Sequence, residues 1–167
     1  MQIAASKIRP CLWFDTEAEE AAKFYCSIFK NSRMGRVSRY VDEGQEIHGK
    51  AAGSVMAVEF EIGDQKKFAA LNGGPHFKFT EAISFQVQCD DQQEVDYFWK
   101  KLSAGGTEGP CGWLKDKYGL SWQIVPKVLY EMLLDQDHTK SQRVTKAFLQ
   151  MKKFDIAELK RAYAGTN

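Results

Sequence analysis

The sequence contains no apolar run long enough to cross a bilayer. A membrane-spanning helix needs roughly 18 consecutive apolar residues, and every apolar stretch in the 167 residues is shorter. The first ten residues lack the apolar core of a secretion signal. Excess charge is also missing, since 23 Lys and Arg face 22 Asp and Glu, so nothing marks a surface for nucleic acid or anionic lipid. We therefore expect a cytoplasmic protein with no nucleic-acid and no membrane partner.

Side chains that commonly bind metals or form redox pairs are few and scattered. The three histidines show neither HxH nor HxxxH spacing, and the four cysteines form no CxxC or CxxH pair. Zinc and related ions need several such ligands in one place, often at short spacings, and this sequence offers none of those spacings. Unpaired cysteines are also typical of reduced thiols in a cytoplasmic protein.

Three segments have the capping-box pattern that begins a helix, in which Ser, Thr or Asp precedes Glu by three residues. The pairs are Thr16 with Glu19, Asp91 with Glu94, and Asp155 with Glu158. Apolar residues then recur at helical spacing behind each pair. The glycines of "SAGG" (103–106) predict the end of the second helix, because glycine readily adopts the left-handed conformation there.

Short or alternating apolar runs predict strands around the first two helices. They span 7–15, 34–42, 54–63, 67–75 and 82–89, with further strand material up to Val125 and a polar loop over 42–50. Strand, capped helix and strands thus occur twice, which indicates an internal β-α-β-β(-β) duplication. An all-helical tail follows over 127–167. The fold class is therefore α+β.

Four segments of the sequence resemble one protein family closely: "LWFDTEAEEAAKFYCSIF", "LNGGPHFKFTEAISFQV", "CGWLKDKYGLSWQIVP" and "MKKFDIAELKRA". They are similar to the PhnB-like branch of the vicinal oxygen chelate superfamily, a branch labelled 3-demethylubiquinone-9 3-methyltransferase-like. The resemblance implies a single domain of tandem βαβββ modules that form a cup-shaped mixed sheet. Module one would span 5–75, module two 80–126 and the helical tail 127–167.

The resemblance also implies where a metal would bind. Metal-binding members of the superfamily place His, Gln or Glu on the first and last strands of each module. Here those positions fall at or beside Arg9, Pro10 and Ala82, and near Asn72 and Gln123. Two neutral carboxamides do not hold a catalytic transition metal, so we expect a cup without a metal.

The methyltransferase label finds no local support in the sequence. A nucleotide-like cofactor such as S-adenosylmethionine usually sits on a glycine-rich turn between a strand and a helix. No glycine here opens a helix after a strand. We therefore expect no cofactor.

Aromatic and carboxamide residues are the best candidates to line the cup. Tryptophan offers a large apolar face and one N–H donor, and polar residues inside apolar strands need hydrogen-bond partners. The competing interpretations are core packing for the tryptophans, hydrogen bonds to neighbouring backbone for Asn72 and Gln123, and simple exposure to solvent for Ser84 and Gln86. The candidates are Trp13, Asn72, Ser84, Gln86, Trp113, Trp122 and Gln123.

Two further residues are weaker candidates. Cys111 has Lys115 nearby in sequence but no histidine that would activate it as a nucleophile, which favours a structural cysteine. Asp116 precedes "KYG", where an aspartate commonly shapes a turn.

Two functions remain open from the sequence. One is a protein that binds or sequesters a small, mostly apolar molecule; the other is an enzyme of the methyltransferase-like or glyoxalase/dioxygenase type. We also expect a homodimer, since the resemblance implies that a second chain completes or covers the cup. The apolar residues of the tail also need a surface to cover them, which is either a partner chain or a sheet edge of the same chain. These residues include Leu129, Met132, Leu133, Phe148 and Met151.

Overall fold

The computed structural model describes residues 7–63 and 66–166. The chain divides into two compact units, one ending at Lys78 and the other beginning at Phe79. Each unit contains one four-stranded mixed sheet. Among the described helices, none is long and apolar enough to span a membrane.

The first unit is built from four strands, one long helix and one short helix. In chain order they are β1 (Cys11–Phe14), α1 (Ala18–Ile28), β2 (Arg33–Arg39), α2 (Gln45–His48), β3 (Val55–Ile62) and β4 (Lys66–Asn72). The strand order in the sheet is β1-β4-β3-β2. β1 runs parallel to β4, and the other neighbours are antiparallel.

One face of this sheet is covered by α1. In β3, Val58, Phe60 and Ile62 are buried while the intervening Glu59 and Glu61 are not. This confirms the predicted alternation, which arises because successive strand side chains point to opposite faces. The polar loop predicted at 42–50 is wrong in part, because left-handed glycines at 44 and 49 bracket the single turn of α2.

The second unit repeats the same plan. It contains β5 (Ser84–Cys89), α3 (Gln92–Ser103), β6 (Thr107–Glu108), β7 (Trp113–Lys115) and β8 (Ser121–Pro126). The sheet order β5-β8-β7-β6 matches that of the first unit, and the β5–β8 pair is again parallel. The predicted duplication is confirmed.

Two of the three predicted side-chain caps form, and one does not. Asp91 and Asp155 each accept a hydrogen bond from the amide three residues ahead, at 2.9 and 2.8 Å. At α1 the prediction is wrong: no side chain within the segment caps the helix. The amide of Ala18 instead donates to Oδ1 of Asn72, at 2.8 Å. A residue distant in sequence therefore replaces the local cap.

The tail forms the three predicted helices, α4 (Lys127–Leu133), α5 (His138–Phe148) and α6 (Ile156–Ala164). Their apolar residues meet in one cluster, called here the tail cluster. Its buried members are Val125, Leu129, Met132, Val144, Met151, Phe154 and Leu159.

Within the second unit, backbone hydrogen bonds connect the tail to the segment just before β7. The amides of Cys111 and Gly112 donate to the carbonyls of Met151 and Lys152, at 2.8 and 2.7 Å. A methyl group on Gly112 would come within 2.4 Å of the Phe154 ring. The five apolar residues on which the dimer expectation was based are thus buried or partly buried within their own chain. The argument for a homodimer from uncovered tail residues is therefore wrong, and the dimer itself stays a prediction that rests on the resemblance.

Candidate functional site: the open face of the second sheet

The two faces of the second sheet differ in chemistry. Leu114, Trp122 and Ile124 are buried on the face that packs against α3. The alternate residues of the same strands lie on the other face, called here the open face. Strand register places these side chains together on it: Ser84, Gln86, Trp113, Lys115, Ser121 and Gln123.

A chain of side-chain hydrogen bonds crosses the open face. The hydroxyl of Tyr130 in α4 donates to Oε1 of Gln86 at 2.9 Å. Nε2 of Gln86 donates to Oε1 of Gln123 at 3.0 Å, and Nε2 of Gln123 donates to Oγ of Ser84 at 2.7 Å. Three of the predicted site residues are therefore joined directly, and each amide is held in one orientation.

A pocket of about 520 Å³ opens beside this chain. That volume lies in the range of small-molecule sites, which are typically about 300–1,000 Å³. Apolar lining comes from Trp113, Leu114 and Pro110, and polar lining comes from three charged residues, a threonine and a serine. The polar lining residues are Glu81, Thr107, Glu108, Lys115 and Ser121.

The charged side chains of the pocket already have ion-pair or hydrogen-bond partners within the protein. Nζ of Lys115 lies 2.6 Å from a carboxylate oxygen of Glu81. The hydrogen bond from Lys115 lowers the pKa of Glu81 from its usual value. The carboxylate of Glu108 accepts a hydrogen bond of 2.8 Å from the indole of Trp99. Trp99 is itself buried on α3.

Ser121 differs from the other polar residues of the pocket. It is fully buried, and its Oγ has no hydrogen-bond partner among the described residues. A buried polar group without a partner costs about 1–3 kcal/mol. Native structures rarely keep such groups without a reason, so Ser121 marks the polar part of the pocket.

Two predicted site residues lie in the core of the second unit instead. Trp122 is only 3% exposed, and its indole donates to Oδ2 of Asp116 at 2.8 Å. Oδ1 of Asp116 accepts from the amides of Tyr118 and Leu120, at 2.9 and 3.1 Å. Asp116 therefore shapes the turn between β7 and β8 and anchors Trp122, away from the open face.

Cys111 lies at the contact between the tail and the β7 end of the hairpin. Its Sγ approaches the carbonyl oxygen of Phe148 at 3.8 Å, and its side chain packs against the tail cluster. Cys111 has a positive φ of 54°. These contacts give the residue a structural place, remote from the chain of carboxamides.

The other two candidates belong to the first unit. Trp13 lies on the sheet face opposite α1, where its indole donates to the carbonyl of Gly74 at 2.8 Å and its ring meets Phe77 edge to face. Asn72 points to the α1 side, where it caps Ala18 and donates from Nδ2 to the carbonyl of Val55 at 3.0 Å.

The expected equivalence of Asn72 and Gln123 is wrong. Asn72 pairs with the last residue of β1, Phe14, whereas Gln123 pairs with Gln86 three positions before the end of β5. An odd shift in register turns a side chain to the opposite face of its sheet. The two carboxamides therefore point to different faces of their own sheets.

The positions considered for a metal do not fit one. Arg9 donates to Glu59, which also accepts from Arg36, and hydrogen bonds from Arg36 and Arg9 lower the pKa of Glu59 to about 2. The side-chain amides of Gln86 and Gln123 form a hydrogen bond with one another. Within 7–63 and 66–166, no group of three or more His, Cys, Asp or Glu is arranged to hold a metal ion.

Sequence reasoning missed Tyr130, Glu81, Lys115 and Ser121 as site residues. Strict alternation from Gln123 would have found Ser121 on β8, and alternation from Trp113 would have found Lys115 on β7. Tyr130 gave no signal, because a tyrosine on a tail helix is indistinguishable from an interfacial or packing residue until the helix is placed.

Comparisons with known proteins agree with this architecture. The family model described as 3-demethylubiquinone-9 3-methyltransferase matches residues 6–125. It ends before the tail, so the family model does not support the resemblance seen at 151–162. No protein with a curated function matches the chain significantly.

Several solved structures are similar to this chain. A PhnB protein from Bacillus cereus, named for the same methyltransferase, is 32% identical over 72% of this chain and 98% of its own, with a TM-score of 0.61. A protein from Pseudomonas aeruginosa is 18% identical over 71% of this chain and 96% of its own, with a TM-score of 0.52.

The fosfomycin resistance protein FosX from Listeria monocytogenes is 15% identical over 78% of this chain and 98% of its own, with a TM-score of 0.51. At such identity, the Pseudomonas and Listeria proteins show the fold alone. The family match and the Bacillus cereus relative show more: the chain belongs to the 3-demethylubiquinone-9 3-methyltransferase-like (PhnB) family.

Proposed function

We propose that this protein binds a small, mostly apolar molecule in the pocket on the open face of the second sheet. The observation that carries the proposal is the pocket of about 520 Å³, whose lining combines the apolar Trp113, Leu114 and Pro110 with a few polar residues. Apolar contact area with a few fixed polar groups is the usual composition of a ligand site.

Binding fits the side chains better than acid–base catalysis does. A general base works best when its pKa is close to the operating pH. The pKa of Glu81 is instead lowered by Lys115, and Glu108 is bonded to Trp99. The side-chain amides of Gln86 and Gln123 do not ionise near neutral pH and therefore cannot act as a general acid or base. The polar groups of the open face are thus suited to orient a ligand.

The methyltransferase and metal-dependent activities within the superfamily are not carried over to this chain. Both turns from a sheet to a long helix hold acidic residues, Asp15 to Glu17 and Asp90 to Asp91, where a nucleotide-like cofactor would meet glycine. The proposal therefore assigns no metal and no cofactor to the site.

Replacing Trp113 by alanine is expected to weaken ligand binding about tenfold or more. Loss of a large apolar contact costs about 1.5–3 kcal/mol, and each 1.4 kcal/mol is a factor of ten. Saturation-transfer NMR with a pool of uncharged aromatic molecules, followed by titration of those that bind, measures the effect.

The control for this experiment is Tyr97→Ala. Tyr97 is a partly exposed aromatic residue on α3, the helix that covers the opposite face of the sheet. Its replacement should leave the affinities unchanged. If Trp113→Ala binds the same molecules as tightly as the wild-type protein does, the pocket is not the binding site.

A further inference from the structure

We propose that a pocket on the first sheet, called here the cation pocket, binds a small anion that carries two negative charges on its oxygens. This site is separate from the pocket of the second sheet and does not depend on the function proposed above. Its volume of about 210 Å³ is below the ~300–1,000 Å³ typical of sites for larger organic ligands. Its charged lining residues are Arg9, Arg33, Arg36, Lys67, Glu59 and Glu61.

Strand register gathers these side chains on the face of the first sheet that α1 does not cover. Arg33 of β2, Glu61 of β3 and Lys67 of β4 are register partners and form one row across the sheet. The residues beside them, Phe60 and Phe68, are buried on the side where α1 packs. Because neighbouring strand residues alternate between the two faces, the charged row lies on the other side.

An irregularity in β2 adds a second arginine of that strand to the pocket. The register between β2 and β3 shifts between Met34 and Val37, so Gly35 and Arg36 both lie opposite Glu59. The Arg36 guanidinium donates to both carboxylate oxygens of Glu59, at 2.8 and 3.1 Å. A methyl group on Gly35 would lie 2.9 Å from the carbonyl oxygen of Glu59. The glycine therefore permits the close approach of the two strands at this point.

Glu59 balances only one of the two guanidinium groups that bind it. Besides the bonds from Arg36, it accepts a hydrogen bond of 2.8 Å from Nη1 of Arg9. Hydrogen bonds from Arg36 and Arg9 lower the pKa of Glu59 to about 2, so it carries one negative charge at neutral pH. Each guanidinium has five N–H groups, and Glu59 occupies only some of them. Both arginines are thus held in position with N–H groups left to bind an anion.

Lys67 supplies a second positive charge that no carboxylate offsets. Glu61 lies 2.7 Å from Arg33 and balances that residue. Lys67 has no ion-pair or hydrogen-bond partner for its side chain within 7–63 and 66–166. Charge on an edge strand blocks pairing with other chains, which accounts for Arg33 on β2. It does not account for Lys67, because β4 lies inside the sheet between β1 and β3. An anion with two charges matches this excess.

The test compares anions of one and two charges at constant ionic strength. Sulfate is an inorganic dianion, malonate is a dicarboxylate, and acetate is a monoanion. Each is titrated into ¹⁵N-labelled protein while the amide signal of Gly35 and the Nε–H signals of Arg9, Arg33 and Arg36 are followed. We expect saturable shifts with at least one dianion and about fivefold or more weaker binding of acetate, which leaves one excess charge unmatched. The tighter dianion identifies the ligand as a tetrahedral oxyanion or a dicarboxylate.

Lys67→Gln should weaken binding of the tighter dianion about three- to fivefold, the effect of losing one exposed ion pair. Its urea midpoint should stay unchanged, because the lysine has no side-chain partner in the described part of the chain. Lys23→Gln is the matched control. Lys23 lies on α1, at the opposite face of the sheet, where it pairs with Glu19 at 2.6 Å. This variant removes the same charge from the protein and should keep the affinity of the wild type.

Three results would overturn the inference. Absent shifts, or shifts that grow linearly without saturation, would show that the arginines and Lys67 attract anions only non-specifically. Equal affinities for acetate and both dianions would remove the requirement for two charges. Equal weakening by Lys67→Gln and Lys23→Gln would trace the effect to net charge instead of the cation pocket. None of these results bears on the proposed function, which depends on the pocket lined by Trp113.

Discussion

Replacing Asn72 by leucine is expected to lower the free energy of unfolding by about 2–4 kcal/mol. The substitution keeps the number and branching of the side-chain heavy atoms but removes both hydrogen bonds, so the amide of Ala18 and the carbonyl of Val55 lose this partner. Each unsatisfied buried group costs about 1–3 kcal/mol. Urea unfolding followed by circular dichroism measures the change as a lower midpoint at an unchanged slope.

Thr16→Ala is the matched control for this prediction. A capping threonine contributes about 1 kcal/mol, but in the structure the α1 cap comes from Asn72 instead. Thr16→Ala should therefore change the free energy of unfolding by less than about 0.5 kcal/mol. A loss at Thr16 that equals the loss at Asn72 would show that the local capping box forms after all.

Replacing Asp116 by alanine should have a similar or larger effect, about 3–5 kcal/mol. Hydrogen bonds to a charged group contribute about 1.5–3 kcal/mol each, and they are not fully additive within one network. Asp116 is 2% exposed and accepts from two amides and from the Trp122 indole. Its loss removes the acceptor of these three hydrogen bonds. Thermal or urea unfolding measures the cost, and the Trp122 indole N–H signal should move upfield.

Asp137→Ala provides the comparison for Asp116. Asp137 caps α5 from an exposed position through one bond to the amide of Thr139. Its loss should cost about 1 kcal/mol, as for other exposed caps. Equal losses for the two aspartates would contradict the structural role assigned to Asp116 in the hairpin.

Local patterns allowed most of the fold to be predicted from the sequence. The alternation in β3 reports burial directly, because the apolar face must meet α1. The caps at Asp91 and Asp155 form because both partners lie within four residues of one another. The cap of α1 could not be predicted in this way, since Asn72 is 54 residues away and only the folded sheet brings it to Ala18.

Residues of the candidate site could be predicted only where strand alternation decides which face of the sheet a side chain lies on. Ser84, Gln86 and Gln123 were found as polar residues within apolar strands, and the structure joins them. Register could not be read from the sequence, and the supposed equivalence of Asn72 and Gln123 failed for that reason. The contact of Tyr130 with Gln86 spans 44 residues and depends on how the tail folds back.

The central claim is that the open face of the second sheet binds a small molecule. The most direct measurement is a titration of ¹⁵N-labelled protein with an uncharged aromatic molecule that binds in the saturation-transfer experiment, with chemical-shift changes mapped on the assigned backbone and indole signals. We predict that the largest changes occur at the pocket residues Trp113, Leu114, Lys115 and Ser121. Changes confined to the first unit, at Trp13 and Phe77, would contradict the account.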